Sequence, residues 1–294
     1  MVINHNISAL NTTNKLSANT KAEQSSLEKL SSGSKINKAA DDAAGLAISQ
    51  KMQQQINGLD TANSNAQTGA SMIQTAEGAL SEDQSILQRM NELAVQAANG
   101  TNTSADQAKI QDEANTLTQT LNDIATQTTF NSKQIFGTTA GASLFTSTGI
   151  QLQIGAASGQ TLNVELGDVT GAISVGGAVM TGVAADSLGV STSQISLGNI
   201  ASASAAITTI TNAIDIVSQL RSKLGAYQNQ LTHTENNLST ESENLQSAES
   251  NITDVDMASE MTAYTKNQIL VQASESMLSQ ANQLPQGILS LLKS

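Results

Sequence analysis

The sequence predicts a mainly α-helical protein, a long antiparallel helical rod of the coiled-coil type with a small insert that contains a β-hairpin. Three observations support this fold class. Apolar residues recur at heptad spacing along most of the chain, aromatic residues make up only 2% of it, and Gly is concentrated between 137 and 198. Because aromatic side chains supply much of a thick globular core, their scarcity favours thin helical seams.

Composition excludes several functional classes. The 294 residues include no Cys and carry a net charge of −12. The lack of Cys excludes a disulfide scaffold and a Cys nucleophile, and the acidic balance argues against nucleic-acid binding. The sequence has no run of about 18 apolar residues that would predict a membrane span. The first 11 residues lack the features of a cleaved signal peptide. The sequence contains no motif that indicates an enzyme, a metal site or a cofactor.

The first half of the chain predicts a helix on the order of 85 Å long. Two heptad series begin at Leu59 and Ala62, and in both every member except Asp83 is apolar or Gly. Asp41 and Asp42 suit the N-terminus of this helix, and Asn99-Gly100 is a stop signal. Each Gly inside the helix costs about 1 kcal/mol relative to Ala. Strong packing or close approach of a neighbour would offset that cost at Gly45, Gly58, Gly69 and Gly78.

Two further helices follow from the same pattern. Ser104 to Gln107 has the spacing of a capping box, and the helix that it opens closes near Thr128. Apolar residues spaced by seven run from Ile210 to Ile252 and predict a third helix. A second series of the same spacing begins with Ile207 and Ile214 and turns polar from Arg221 onward. The apolar stripe therefore narrows towards the C-terminus.

The region between these helices has a different pattern. Residues 149–154 and 161–166 alternate apolar with polar side chains, as half-buried strands do. Residues 155–159 contain two Gly residues and fit the loop of a hairpin.

Both ends of the chain predict helices that need neighbours. Fully burying the eight large aliphatic residues before position 42 would give roughly 12–24 kcal/mol, less than the roughly 40–80 kcal/mol needed to order that backbone. The C-terminal helix should begin after Thr253, with Asp254 and Asp256 in its first turn. Pro285 interrupts its stripe and favours a bend there, unless assembly compensates. Segments of this kind fold on binding.

These elements predict three regions. Residues 1–42 and 253–294 form a terminal coiled-coil domain, residues 43–136 and 199–252 form the helical rod domain, and residues 137–198 form its short β-rich central portion.

The two ends of the sequence resemble those of bacterial flagellins. The N-terminal motifs that carry the resemblance are residues 3–10, 30–37 followed by 41–49, 87–96 and 129–131. The C-terminal motifs are residues 252–256 and 280–292. Ser34 and Lys35 depart from the family pattern, in which Leu and Arg are common at these places. The short central insert indicates that the large outer domains of longer flagellins are missing.

The resemblance implies a structural subunit of the extracellular flagellar filament, with the chain itself as the main partner. It also implies unfolded export through the type III channel, an export chaperone that binds the C-terminal segment, and contact with the filament cap and the hook–filament junction proteins. The terminal helices would pair as a coiled coil on assembly. Nine apolar residues would then be covered: Ile7, Leu10, Leu27, Leu30, Leu270, Met277, Leu284, Ile288 and Leu291.

One further expectation concerns the host. The resemblance implies that the innate-immune Toll-like receptor for flagellin contacts Arg89, Leu93 and Glu113. The alternative is that the two charged residues are ordinary solvated groups and that Leu93 covers a subunit contact.

Two other functions remain open. The first is a hook–filament junction protein, which shares the terminal helices. The second is a signalling coiled coil of the chemoreceptor type, but this class needs a symmetric hairpin and usually a membrane anchor.

Overall fold

The structure is a computed structural model that describes residues 6–136, 149–165, 190 and 195–293, with side chains described up to residue 283 in the last helix. Five long helices are α1 (Ile7–Ser32), α2 (Ala43–Ala97), α3 (Ser104–Gln127), α4 (Ile200–Thr253) and α5 (Met257–Lys293). Short strands between α3 and α4 are β1 (Thr129–Phe130), β2 (Lys133–Gln134), β3 (Ile150–Gln153) and β4 (Thr161–Val164). The predicted fold class, mainly α with a small β portion, is confirmed.

The chain divides into two compact units. The terminal unit comprises residues 1–56 and 243–294, and the central unit comprises residues 57–242. Both α2 and α4 contribute residues to each unit. The three-region division made from the sequence stays a prediction.

The core of the central unit follows the heptads of α2. All members of the series that starts at Leu59 are at most 3% exposed, and so are Ala62, Ala76, Asp83, Met90 and Ala97 in the companion series. Apolar side chains from the other helices complete the core, among them Ile110, Ala114 and Leu121 of α3 and Ile210, Val217 and Leu224 of α4. The buried face of α2 therefore follows the two heptad series, and it includes Asp83, the residue that interrupts the apolar pattern.

The first turn of α2 is capped as expected. The Asp42 carboxylate accepts hydrogen bonds from the backbone N–H groups of Ala44 and Gly45 at 3.0 and 2.9 Å, which satisfies two donors that a helix N-terminus leaves free. The helix ends at Ala97, slightly before the predicted Asn99-Gly100 stop.

The capping box of α3 lies one residue earlier than predicted. Thr103 is the N-cap, and its side chain accepts a hydrogen bond from the N–H of Asp106 at 3.3 Å. In return, the Asp106 carboxylate accepts from the backbone N–H of Thr103 at 3.4 Å and from its hydroxyl at 2.7 Å. The prediction of Ser104 as cap was wrong because Ser104 already has helical conformation. Thr103 and Ser104 are both suitable N-cap residues, and Asp106 and Gln107 can each serve as their partner three residues later. Spacing alone therefore does not decide which pair forms the capping box.

The β3–β4 hairpin packs against α2, where two glycines allow close approach. A β-carbon on Gly58 would lie 2.8 Å from the Ala156 β-carbon. The side chain of Asn65 donates a hydrogen bond to the Gln153 carbonyl at 3.1 Å. The close-approach explanation thus holds at Gly58 and Gly69, whereas nothing lies within 4 Å of such an atom on Gly78.

One window of α4 is long and apolar enough to cross a membrane by length and composition, with a mean hydropathy of 1.4. Core helices pass the same test, so the window is weak evidence for a span. Apolar side chains of the same helix lie in the core of the central unit, among them Ala203, Ala206, Ile210, Ala213 and Val217.

In the terminal unit, α1 and α5 pack against each other in antiparallel orientation. Residues at the start of α1 contact the later part of α5, and the segments next to Ser34 and Asp254 form an isolated antiparallel bridge. Asp254 and Asp256 thus both precede α5, and the expectation that they lie in its first turn was wrong. Asp256 caps the helix instead, because its side chain accepts from the N–H groups of Ala258 and Ser259.

Candidate functional site

Two asparagines on α1 make polar contacts with α5. The Asn6 side-chain amide donates to the Ala281 carbonyl at 2.8 Å, while its oxygen accepts from the N–H of Ala9 and caps α1. Further along α1, the Asn19 side-chain amide donates a hydrogen bond to the Ser274 hydroxyl at 3.0 Å. These bonds fix which residues of the two helices face each other.

The apolar interior of this helix pair is thin. Among the described residues of the terminal unit, the buried apolar side chains are Ile36, Ile56 and Ala281. Nine large apolar side chains in the described part of this unit are exposed: Ile7, Leu10, Leu27, Ile48, Met257, Met261, Ile269, Leu270 and Met277. Their exposed fractions run from 39% at Leu270 to 67% at Ile7. Clusters of exposed apolar residues mark surfaces that bind other molecules.

The linkers that precede α2 and α5 are hydrogen-bonded to each other. Lys35 donates its backbone N–H to the Thr253 carbonyl at 2.7 Å, and Val255 donates to the Gly33 carbonyl at 3.0 Å. The Ser34 hydroxyl donates to the same Thr253 carbonyl at 2.9 Å. A polar side chain at position 34 therefore adds a bond to this pairing that a Leu cannot make.

A second exposed cluster joins α2 to α3 in the central unit. The Arg89 guanidinium donates to the Glu113 carboxylate at 2.8 and 3.1 Å and to the Glu92 carboxylate at 3.0 Å. Both carboxylates, Glu113 foremost, raise the pKa of Arg89, which stays charged. Leu93 is only 1% exposed and lies in the core below this cluster.

Comparison with known proteins decides what these surfaces belong to. Residues 3–141 match the family described as the bacterial flagellin N-terminal helical region, and residues 207–292 match the bacterial flagellin C-terminal helical region. The chain is 48% identical to flagellin of Bacillus subtilis (strain 168) over 305 aligned positions, which cover all of both chains. The chain belongs to the bacterial flagellin family.

Two further comparisons come from the same family. A "flagellar filament 30.7 kDa core protein" of Treponema maltophilum is 42% identical, over 99% of this chain and 100% of that protein. A crystal structure of Bacillus cereus flagellin is 30% identical, with a TM-score of 0.48 over 60% of this chain and 88% of that one.

The structure places the predicted assembly residues of this flagellin-family chain as follows. Five are exposed on α1 or α5, namely Ile7, Leu10, Leu27, Leu270 and Met277, and Leu30 is half-buried. The side chains of Leu284, Ile288 and Leu291 lie outside the described residues.

In the described part of the terminal unit, the sequence prediction missed four exposed large apolar residues, namely Ile48, Met257, Met261 and Ile269. Met257 and Met261 are four residues apart on one helix face, so a count of i, i+4 pairs would have found them. Ile269 stands next to Leu270 and therefore lies outside the heptad series that contains Leu270.

Proposed function

We propose that the chain is the structural subunit of a flagellar filament and acts by binding further copies of itself. The main observation in support of this proposal is the set of exposed large apolar side chains on α1 and α5, which are the helices at the two ends of the chain. The name of the Treponema maltophilum relative, a filament core protein, supports the same function. The chain is a structural protein rather than an enzyme.

The energetics favour assembly over an isolated helix pair. Covering the nine exposed side chains, each already partly shielded, contributes on the order of 10 kcal/mol in total. Association of two macromolecules costs about 4–15 kcal/mol in lost freedom. Contacts with several neighbours are therefore needed, and head-to-tail contacts that do not close into a ring generate a helical filament.

The test is polymerisation of the purified full chain from seeds or by salting out. The wild type should form long filaments, and the double variant Ile7→Asn/Leu10→Asn should raise the critical concentration at least tenfold. Asn14→Ser, an exposed polar change on the same helix, serves as the matched control and should polymerise normally. Rods of fixed length, or no polymer at all, from the wild type would contradict the proposed function.

We also propose that the chain is secreted through the flagellar type III channel while its ends are unfolded. The small number of buried apolar side chains in the terminal unit supports this, because little holds the ends in place before assembly. In this proposal an export chaperone binds the C-terminal segment, and the filament cap and the hook–filament junction proteins contact the subunit at the two filament ends. Limited proteolysis should remove both ends of the monomer and spare them in the filament.

The identity to flagellins over the full chain supports a filament subunit over a hook–filament junction protein. The decisive observation is length: a filament subunit polymerises without limit, whereas a junction protein forms only a short zone.

We further propose recognition by the Toll-like receptor for flagellin at the Arg89–Glu113 cluster. The cluster is exposed, with half of each side chain accessible, and it presents one cation between two carboxylates. Leu93 is buried, so in this proposal it supports α2 from below and does not contact the receptor in this conformation.

A further inference from the structure

Asp83 occupies the core of the central unit, in a position where every neighbour in its heptad series is apolar or small. It is 0% exposed, and neither carboxylate oxygen has a hydrogen-bond partner. Among the described residues it is the one charged side chain that is buried. An unpaired buried carboxylate is costly in its ionised form, because it loses hydration and gains nothing in return.

Among the residues that the structure describes, no cation donates a hydrogen bond to this carboxylate. The buried residues of α3 are Ile110, Ala114, Thr118, Leu121 and Ala125, none of which titrates. Every buried residue of α4 in the described part is Ala, Val, Leu or Ile. The apolar side chains of β4 and of the segment before α4 that join the core do not titrate either.

Arg89 is close to Asp83 in sequence, and Arg221 lies on α4. Both arginines contact other side chains. Arg221 of α4 donates from Nη1 to the Gln84 side chain and lies 3.7 Å from the Glu77 carboxylate. Its buried Nε has no hydrogen-bond partner, and neither oxygen of Asp83 accepts a hydrogen bond from it. Arg89 is held by Glu92 and Glu113 on the outer face.

We propose that Asp83 is a proton-linked switch in the helical core of the central unit. When the side chain is protonated, α2, α3 and α4 pack around it as in the structure. When it ionises, the core must admit water or the helices must separate locally. The switch is a property of the monomer and stands whether or not the chain polymerises.

The electrostatics of the site place the switch near neutral pH. Burial raises the pKa of Asp83 from 3.8 to about 7, and the charge of the adjacent Glu82 adds to the rise. Since the folded pKa is raised, the stability contributed by Asp83 is complete below its ordinary pKa and is lost as pH rises towards 7. Above that pH both folded and unfolded chains are ionised and no further loss follows.

The test compares the pH dependence of unfolding in the full-length monomer with that of Asp83→Leu, which completes the apolar series. Relative to this variant, the unfolding constant of the wild type should rise about tenfold per pH unit between pH 4 and 7. Asp83→Asn should remove the same slope, and Asp215→Asn, an exposed carboxylate on α4, should keep it. Equal slopes in the wild type and in both Asp83 variants would overturn the proposal.

A direct readout covers the case in which both Asp83 variants fold poorly. The carboxyl carbon of Asp83 can be followed by NMR in the wild type across pH 3–9. A midpoint near 7 for this carbon supports the switch, and a midpoint below 5 overturns it.

Discussion

Ala156 lies so close to the backbone of Gly58 that a β-carbon at position 58 would stand 2.8 Å from its own. The second contact of the hairpin is at Gly69, where the same atom would meet the Leu152 side chain. Gly58→Ala should therefore push the hairpin from α2 and lower the free energy of unfolding of the central unit by about 1–3 kcal/mol. Gly69→Ala should cost less, because the added atom meets only the end of the Leu152 side chain, which can turn aside. Urea unfolding followed by circular dichroism measures this change.

The control for both variants is Gly78→Ala on the same helix, because nothing lies within 4 Å of the added atom. This change should stabilise the helix by up to about 1 kcal/mol, the usual gain of Ala over Gly. A loss of stability at Gly78 equal to that at Gly58 would contradict the hairpin explanation, because helix propensity favours Ala at both positions and no hairpin atom lies near Gly78.

The capping box of α3 gives a second prediction. Thr103→Ala should destabilise the central unit by about 1 kcal/mol through loss of the N-cap, whereas Ser104→Ala should have little effect. The bonds from Thr103 hold the pKa of Asp106 below its usual value. Its contribution is therefore present above the ordinary pKa of an Asp and is lost as pH falls through the lowered one. Thermal unfolding of both variants at pH 7 and at pH 3 checks this. A loss of stability in Ser104→Ala as large as that in Thr103→Ala would contradict Thr103 as the cap.

The sequence was a good guide where one periodicity decided the structure. The heptads of α2 predicted most of the buried residues from Leu59 to Ala97, since a long helix with one apolar stripe buries that stripe. Local choices between similar residues were less accessible, as at Thr103 and Ser104. The burial of Leu93 was also hidden, because Leu93 lies outside both heptad series of α2.

The Arg89–Glu113 cluster gives a third prediction, on receptor recognition. Arg89→Ala should lower the activation of receptor-bearing cells by at least tenfold, because it removes a bidentate donor and leaves the Glu113 carboxylate unpaired. Arg89→Lys should recover only part of the response, since an ammonium group cannot reproduce the paired donors. Cells that express the receptor, treated with purified monomer, provide the measurement.

The matched control for this surface is Lys133→Ala, an exposed cation of β2 on the same unit. It should leave signalling unchanged. If Arg89→Ala signals as well as the wild type while still folding, the charges at 89 and 113 are ordinary solvated groups and the receptor proposal is wrong.

The hydrogen bond of 3.0 Å from Asn19 to Ser274 gives the last prediction. Because it joins α1 to α5, its contribution is realised only where the two helices are paired, which in the proposed function is the filament. Asn19→Ala and Ser274→Ala should each lower the temperature of filament disassembly, and the double variant should lower it by less than the sum, with a coupling energy of about 0.5–1.5 kcal/mol. Strict additivity would mean that the two side chains do not meet in the filament, so that assembly changes the register of the helix pair.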